Sequence, residues 1–155
     1  YCIVGHSEKR MSGDKDLIIN QKIKSCIKNK LKVIFCIGEN FKQKKNKTTF
    51  KILNNQIKVG LKDISRNNDI LVAYEPVWSI GTGITPKNED LIKNILFIKK
   101  KLFKKFKKVT ILYGGSVNSH NIQNFSRIND IDGFLVGGAS QSYKKFIDII
   151  KKSYK

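Results

Sequence analysis

Arginine and acidic residues are scarce in this chain, although its overall charge is strongly basic. The arginines are Arg10, Arg66 and Arg127, against 28 lysines and 12 acidic residues, and the formal net charge is +19. Proteins that read bases and phosphates directly favour the bidentate guanidinium group of arginine. The lysines are instead scattered over nearly every segment, so the composition argues against nucleic acid as a partner despite the charge.

Cysteine is also rare, and its spacing argues against two kinds of site. Cys2, Cys26 and Cys36 form neither a CxxC pair nor a set with histidine at metal-ligand spacing. Their odd number and irregular spacing predict reduced thiols and therefore a cytoplasmic location. The sequence also lacks an apolar run of about 18 residues, which argues against a membrane span. Its first residues lack the pattern of a signal peptide.

Methionine occurs once, at position 11, and the first residue is Tyr1. Because Met11 falls within a segment that we interpret below as part of a site, we expect translation to begin upstream of Tyr1. The 155 residues, 40% of them hydrophobic, suffice to bury a core. We therefore interpret 1–155 as a single domain that is a fragment of a longer protein.

Short apolar runs alternate with longer segments of helical periodicity. The runs are rich in β-branched and aromatic residues and are apolar throughout, as is typical of parallel strands covered on both faces. They predict five strands, at Cys2–Val4, Val33–Ile37, Ile70–Tyr74, 109–113 and 134–136.

Apolar residues spaced by three and four predict helices between these strands. The helices cover about 17–31, 50–61 and 91–102, with a shorter one near 120–125 and a last one over 143–150. Thr85 and Pro86 provide a start signal for the third helix. Five βα units in succession predict an α/β fold, either an open doubly wound sheet or an arc of a (β/α)8 barrel.

Polar and glycine residues directly follow the predicted strands, at the edge where parallel α/β folds bind ligands. His6 follows the first strand and Glu75 the third, while Gly114–Gly115 and Gly137–Gly138 follow the last two. Each feature alone has an ordinary structural explanation, since a histidine can be incidental, a glutamate can cap a turn and glycines make turns. Together they predict a small phosphorylated ligand held near a base and an imidazole.

Five segments resemble signature sequences of the triosephosphate isomerase family, in the family's order and approximate spacing. AYEPVWSIGTG is the most specific of them, and the similarity extends over essentially the whole chain. The resemblance implies the C-terminal five βα units of a (β/α)8 barrel. The segments are GHSEKR at 5–10, CIGE at 36–39, AYEPVWSIGTG at 73–83, YGGSVN at 113–118 and DGFLVGGAS at 132–140.

This resemblance implies that the intact protein interconverts dihydroxyacetone phosphate and D-glyceraldehyde 3-phosphate in glycolysis and gluconeogenesis. As in the known enzyme of that family, Glu75 would be the base and His6 the neutral electrophile that polarises the carbonyl oxygen. Residues 76–83 would form a mobile lid, and Ser7 and Glu8 would organise the site. The substrate phosphate would contact Gly81, Ser116, Gly137 and Gly138.

The resemblance also carries expectations about partners. It implies no cofactor and no metal, because side chains carry both proton transfers. It implies a homodimer for the complete protein, with a phosphorylated triose as its ligand and neither nucleic acid nor a membrane as a partner.

Three positions depart from the family's usual residues, with Lys9 in place of arginine, Ser79 in place of alanine and Gln141 in place of leucine. The larger departure is that the family's first three βα units, which include the catalytic lysine, have no counterpart in the sequence. Electrostatic stabilisers of this kind are worth roughly 10²-fold in rate. We therefore expect the isolated chain to be inactive or nearly so.

Two other interpretations stay open at this point. One is another barrel enzyme that acts on a phosphosugar, which the full AYEPVW string disfavours. The other is a non-catalytic remnant of the barrel that binds anions or a partner through its basic surface. A substitution of Glu75 separates these interpretations, because only an isomerase depends on that carboxylate for turnover.

Overall fold

The computed structural model describes residues 1–66, 68 and 70–154. Within these residues, five strands form one parallel sheet in the order β1-β2-β3-β4-β5. The single domain predicted over 1–155 stays a prediction, and positions 67, 69 and 155 lie outside the described residues. The strands are β1 (Cys2–Val4), β2 (Val33–Ile37), β3 (Ile70–Tyr74), β4 (Thr110–Tyr113) and β5 (Gly133–Phe134).

The strand order decides between the two predicted architectures. Each strand pairs in parallel with the strand that follows it in the chain, from Cys2 opposite Val33 to Tyr113 opposite Phe134. A doubly wound sheet reverses its order at a switch point, whereas a (β/α)8 barrel adds each strand on the same side of the last one. The fold is therefore α/β and of the partial barrel kind.

The helices follow the strands in the chain and pack against one face of the sheet. Helix α2 packs against α4, and α4 packs against α5. In the described part of the chain, no helix combines the length and the apolar character that crossing a bilayer requires. The helices are α1 (Ser7–Met11), α2 (Asp16–Lys28), α3 (Phe41–Lys45), α4 (Thr49–Gly60), α5 (Asn88–Leu102), α6 (Ile122–Ser126) and α7 (Tyr143–Ser153), with 3-10 turns at Val77–Ser79 and Gly138–Gln141.

The two faces of the sheet bury different amounts of apolar surface. Alternate strand residues point to opposite faces, and the face that includes Phe35 and Tyr74 belongs to a large core shared with the helices. The opposite face holds a small cluster built on Cys36, Ala73 and Leu112. The helix-covered face therefore provides most of the hydrophobic stabilisation, and the small inner cluster lies beneath the site described below.

The predicted boundaries of the last two strands are wrong by one or two residues. Strand β4 begins at Thr110 rather than at position 109, and β5 covers Gly133–Phe134 rather than 134–136. Strand β4 ends at Tyr113, whose carbonyl accepts one further bond from the Leu135 N–H at 2.9 Å. Among the described residues, strand pairing between β4 and β5 ends at Tyr113 and Phe134, so β5 is shorter than predicted.

The predicted start of α5 is also wrong, and two short helices, α1 and α3, were not predicted at all. Helix α5 begins at Asn88, with Glu89 and Asp90 in its first turn, while Pro86 is buried ahead of the helix. Acidic residues in a first turn are favoured by the helix dipole. Helix α3 is too short to show periodicity, and Asn40 and Gln43 start it with a reciprocal capping box.

Candidate active site

The carboxyl ends of the strands open onto one cavity of about 490 Å³. This volume falls within the range of about 300–1,000 Å³ that small-molecule sites occupy. Six of the eight site residues predicted from the sequence line it, drawn from four of the five strand ends. They are His6, Glu75, Gly81, Ser116, Gly137 and Gly138.

Glu75 is held rigidly where β3 ends. Its backbone N–H donates to the carbonyl of Ile37 at 2.7 Å, which extends the pairing of β2 and β3 by one step. A Cβ atom on Gly38 would overlap the backbone carbonyl of Glu75, so this approach requires glycine at position 38. The two strand ends therefore fix the position from which the Glu75 side chain enters the cavity.

The Glu75 carboxyl is buried, with 3% of its surface exposed, and lies beside the His6 imidazole. Burial raises the pKa of Glu75 above its ordinary value, while His6, the Cys36 thiol, the Ser7 backbone N–H and Arg10 oppose the rise without cancelling it. The His6 Nε2 atom lies 3.4 Å from Glu75 Oε1, and 32% of the His6 side chain is exposed. A buried carboxyl group and an imidazole thus meet in the same cavity.

The Cys36 thiol is a neighbour of Glu75 that sequence reasoning missed. Cys36 lies on β2 with its side chain in the small inner cluster, and it is fully buried. Burial, followed by the charge of Glu75, raises the pKa of this thiol well above its ordinary value. It therefore stays protonated and serves as a hydrogen-bond donor to the carboxylate rather than as a nucleophile.

Arg10 anchors the loop that carries His6. Its Nε donates to the Gly5 carbonyl at 2.8 Å, Nη2 donates to the Cys36 carbonyl at 3.1 Å, and Nη1 pairs with Asp16 at 2.6 Å. Ser7, the first residue of α1, is also buried. Glu8 is exposed and lies outside the cavity. Arg10 belongs to the GHSEKR segment, but the sequence does not show its partners, because Asp16 and the Cys36 carbonyl are brought to it by the fold.

Glu39 is a second buried carboxyl that sequence reasoning did not assign a role. Its oxygens accept from the Trp78 Nε1–H at 2.8 Å and from the Tyr74 hydroxyl at 3.1 Å, and the Asn94 amide donates to that hydroxyl at 2.8 Å. Burial raises the pKa of Glu39, and these donors oppose the rise. The CIGE segment that contains Glu39 was the available signal. Its carboxylate fixes Trp78, in the segment that begins at Pro76.

Ser79 joins that segment to the loop after β4. Its hydroxyl is fully buried, donates to the Ile84 carbonyl at 2.6 Å and accepts from the Ser116 N–H at 3.3 Å. The Tyr113 hydroxyl lies 3.5 Å away. The serine is therefore more than a tolerated replacement for alanine, because it adds polar contacts between residues 76–83 and Ser116.

The two glycine pairs differ in what surrounds them. A Cβ atom on Gly114 would lie 3.0 Å from Glu75 Cγ, and one on Gly115 would overlap the Tyr113 hydroxyl. Gly137 and Gly138 have no atom within 4 Å of the Cβ position. The first pair thus permits close packing around Glu75 and Tyr113, whereas the second pair leaves its backbone open to the cavity.

Two basic residues that sequence reasoning did not single out also line the cavity, His120 after β4 and Lys145 in α7. Both histidines of the chain, His6 and His120, consequently face the same space. Across the described residues, no group of three or more histidine, cysteine, aspartate or glutamate side chains is arranged to hold a metal ion.

Comparison with known proteins gives consistent matches. The family model described as triosephosphate isomerase matches residues 1–153. A triosephosphate isomerase from Thermodesulfovibrio yellowstonii is 46% identical over 97% of this chain and 63% of its own length. One from Endomicrobium trichonymphae is 40% identical over 99% of this chain and 64% of its own length. The chain thus spans less than two thirds of the length of the curated relatives it matches.

Proposed function

Because the chain belongs to the triosephosphate isomerase family, we propose that it supplies the base, the imidazole and the phosphate-binding loops of an enzyme that interconverts dihydroxyacetone phosphate and D-glyceraldehyde 3-phosphate. The observation that carries this proposal is the placement of Glu75 and His6, 3.4 Å apart, in one cavity with the open glycines. The cavity is large enough for a phosphorylated three-carbon ligand.

In the proposed reaction, Glu75 removes a proton from the carbon beside the substrate carbonyl. The electron pair of the C–H bond moves to form the enediolate, and His6 stabilises the developing charge on the oxygen. Glu75 then returns the proton to the neighbouring carbon, so that no atom is gained or lost. Burial supports this role because it raises the pKa of Glu75 and makes the ionised carboxylate a stronger base.

Four residues are proposed to hold the substrate phosphate. The open backbone at Gly137 and Gly138 supports this role, because N–H groups there can point at an anion without a side chain in the way. Gly81 has a φ of 69° and open space around it, and it belongs to the proposed lid, 76–83. Ser116 is joined to that lid through Ser79, so closure and phosphate binding would be coupled.

Ser7 is proposed to organise the site through its backbone N–H, which contributes to the environment of Glu75. We also propose that Glu8 has a supporting role in organising the site.

We also propose that the complete protein is a cytoplasmic homodimer, as its family membership suggests. The described cysteines, Cys2, Cys26 and Cys36, are all free thiols, which supports a reducing compartment.

A chimaera tests the proposed function. The part of the Thermodesulfovibrio yellowstonii relative that this chain does not match would be joined to residues 1–155, and isomerisation would be followed in a coupled assay. We expect turnover in the chimaera and little or none in the isolated chain. Glu75→Gln should reduce kcat by about 10³-fold, the size expected for a general base.

Glu89→Gln is the matched control, since Glu89 lies in the first turn of α5, outside the cavity, and should leave kcat unchanged. Equal turnover in the Glu75→Gln chimaera and its parent would rule out the proposed role of Glu75.

The alternative of an anion-binding remnant rests on the net charge of +19. It requires salt-sensitive binding to polyanions that is indifferent to Glu75→Gln.

A further inference from the structure

The cavity carries little positive charge for the ligand proposed to occupy it. A phosphate monoester carries a net charge of about −1.5 to −2 near pH 7. The glycine loops offer backbone dipoles but no formal charge. Among the described residues that line the cavity, the one acidic residue is Glu75 and the one lysine is Lys145. A cation at the phosphate end would therefore have a large effect on ligand binding.

Lys145 is placed close to that end by the local fold. It lies in the first turn of α7, which begins two residues after the Gly138–Gln141 turn. The same cavity is lined by Gly137, Gly138 and Lys145. Helix α7 is anchored by Ile149, which is 3% exposed and part of the large core. The backbone of Lys145 is thus held in place while its side chain reaches the cavity.

The Lys145 side chain is free to take a ligand. In the part of the chain that the structure describes, it forms no ion pair and no hydrogen bond through its ammonium group, and the side chain is exposed. The adjacent Lys144 differs, because it does not line the cavity and its Nζ lies 5.9 Å from the centre of the Tyr143 ring. Two neighbouring lysines therefore have the same charge but different surroundings.

We propose that Lys145 is a phosphate-binding residue of this site, donating a charge-assisted hydrogen bond to the phosphate held by Gly137 and Gly138. Such bonds from ammonium groups to phosphate are stronger than those from neutral donors. The identity of the ligand rests on the proposed function, whereas the role of Lys145 as an anion contact rests on its position. Lys145 would then set the affinity for the phosphorylated ligand without taking part in proton transfer.

Isothermal titration of the 155-residue chain with inorganic phosphate and with glycerol 3-phosphate tests this proposal. Lys145→Gln should weaken binding of both probes by about tenfold, the effect of removing one hydrogen bond to a charged group. Lys144→Gln removes the same charge one position away and should change Kd by less than about twofold, as for a surface charge. Lys145→Arg should retain most of the affinity. Added salt should weaken binding less in Lys145→Gln than in the unsubstituted chain.

Equal effects of Lys145→Gln and Lys144→Gln would overturn the proposal, because the lysine would then act only through net charge. Absence of phosphate binding by the unsubstituted chain would overturn it as well. The chimaera separates this proposal from the function. Lysine-dependent phosphate binding without any isomerase turnover would reject the function and retain Lys145, and turnover with equal effects of the two substitutions would do the reverse.

Discussion

Two buried glutamates at the ends of neighbouring strands have opposite surroundings. Glu39 follows β2 and Glu75 follows β3, and they are 1% and 3% exposed. Burial raises the pKa of both. The carboxylate of Glu39 is occupied by donors from Tyr74 and Trp78. That of Glu75 faces a cavity and an imidazole.

A difference of one residue in register explains this contrast. Ile37 pairs with Tyr74, so Glu75 stands level with Gly38, and Glu39 lies one step further along. Because side chains alternate between faces, Glu39 meets Tyr74 on the helix-covered face and Glu75 meets Cys36 on the inner face. The same pattern, a carboxylate just after an apolar strand, thus produces a hydrogen-bonded structural group on one face and a cavity-lining group on the other.

The largest expected effect comes from removing the glycine on which this register depends. Gly38→Ala would place a Cβ atom onto the Glu75 carbonyl, and we expect a loss of about 3 kcal/mol in the free energy of unfolding, as for severe overpacking. Urea denaturation measures it. Gly138→Ala, at a glycine with open space around it, is the matched control and should change stability by less than about 0.5 kcal/mol. Similar stabilities of the two variants would break the register argument.

A smaller loss is expected when Glu39 is truncated. Glu39→Ala leaves the Tyr74 hydroxyl and the Trp78 N–H without their acceptor, which should cost about 2 kcal/mol. Glu39→Gln keeps an acceptor oxygen and should cost less. Trp78 is the single tryptophan of the chain, so its fluorescence reports the change directly. An unfolding curve and an emission spectrum unaltered in Glu39→Ala would show that Glu39 does not hold Trp78 and the proposed lid in place.

The smallest effect, and one of opposite sign, is expected at Glu75. Its folded pKa is raised above the ordinary value of 4.5. The contribution of the neutral Glu75 carboxyl to stability is therefore fully present below pH 4.5 and is lost as pH rises through the folded pKa. Glu75→Gln cannot ionise, and at pH 7 it should gain about 1 kcal/mol, as substitutions at functional sites often do. Denaturation curves between pH 4 and 8 test this expectation. A destabilised Glu75→Gln variant at pH 7 would place Glu75 with Glu39 among the structural groups.

Much of the fold could be predicted from the sequence, for a physical reason. Three strands, including Val33–Ile37, have the predicted bounds, because each is an uninterrupted apolar run between polar segments. The bounds of β5 are wrong, since the number of paired residues depends on where β4 ends. Pattern alone also left the architecture open, because the spatial order of strands is a property of long-range pairing.

The candidate site could be predicted only in part. His6, Glu75 and the glycines stood out because they follow strands within recognisable segments. Glu39 and Cys36 belong to one of those segments, but their partners come from other strands and turns. Lys145 is one of 28 lysines, and only its place beside Gly137 and Gly138 distinguishes it.

The most direct test of the account is the exchange of substrate carbon-bound hydrogen with solvent. The chimaera would be incubated with dihydroxyacetone phosphate in D₂O, and deuterium at the carbons that flank the carbonyl would be followed by NMR. We expect rapid incorporation in the parent chimaera and in its Glu39→Gln variant, and a loss of about 10³-fold in Glu75→Gln. Incorporation at the same rate in Glu75→Gln as in the parent would contradict the claim that Glu75 moves the proton.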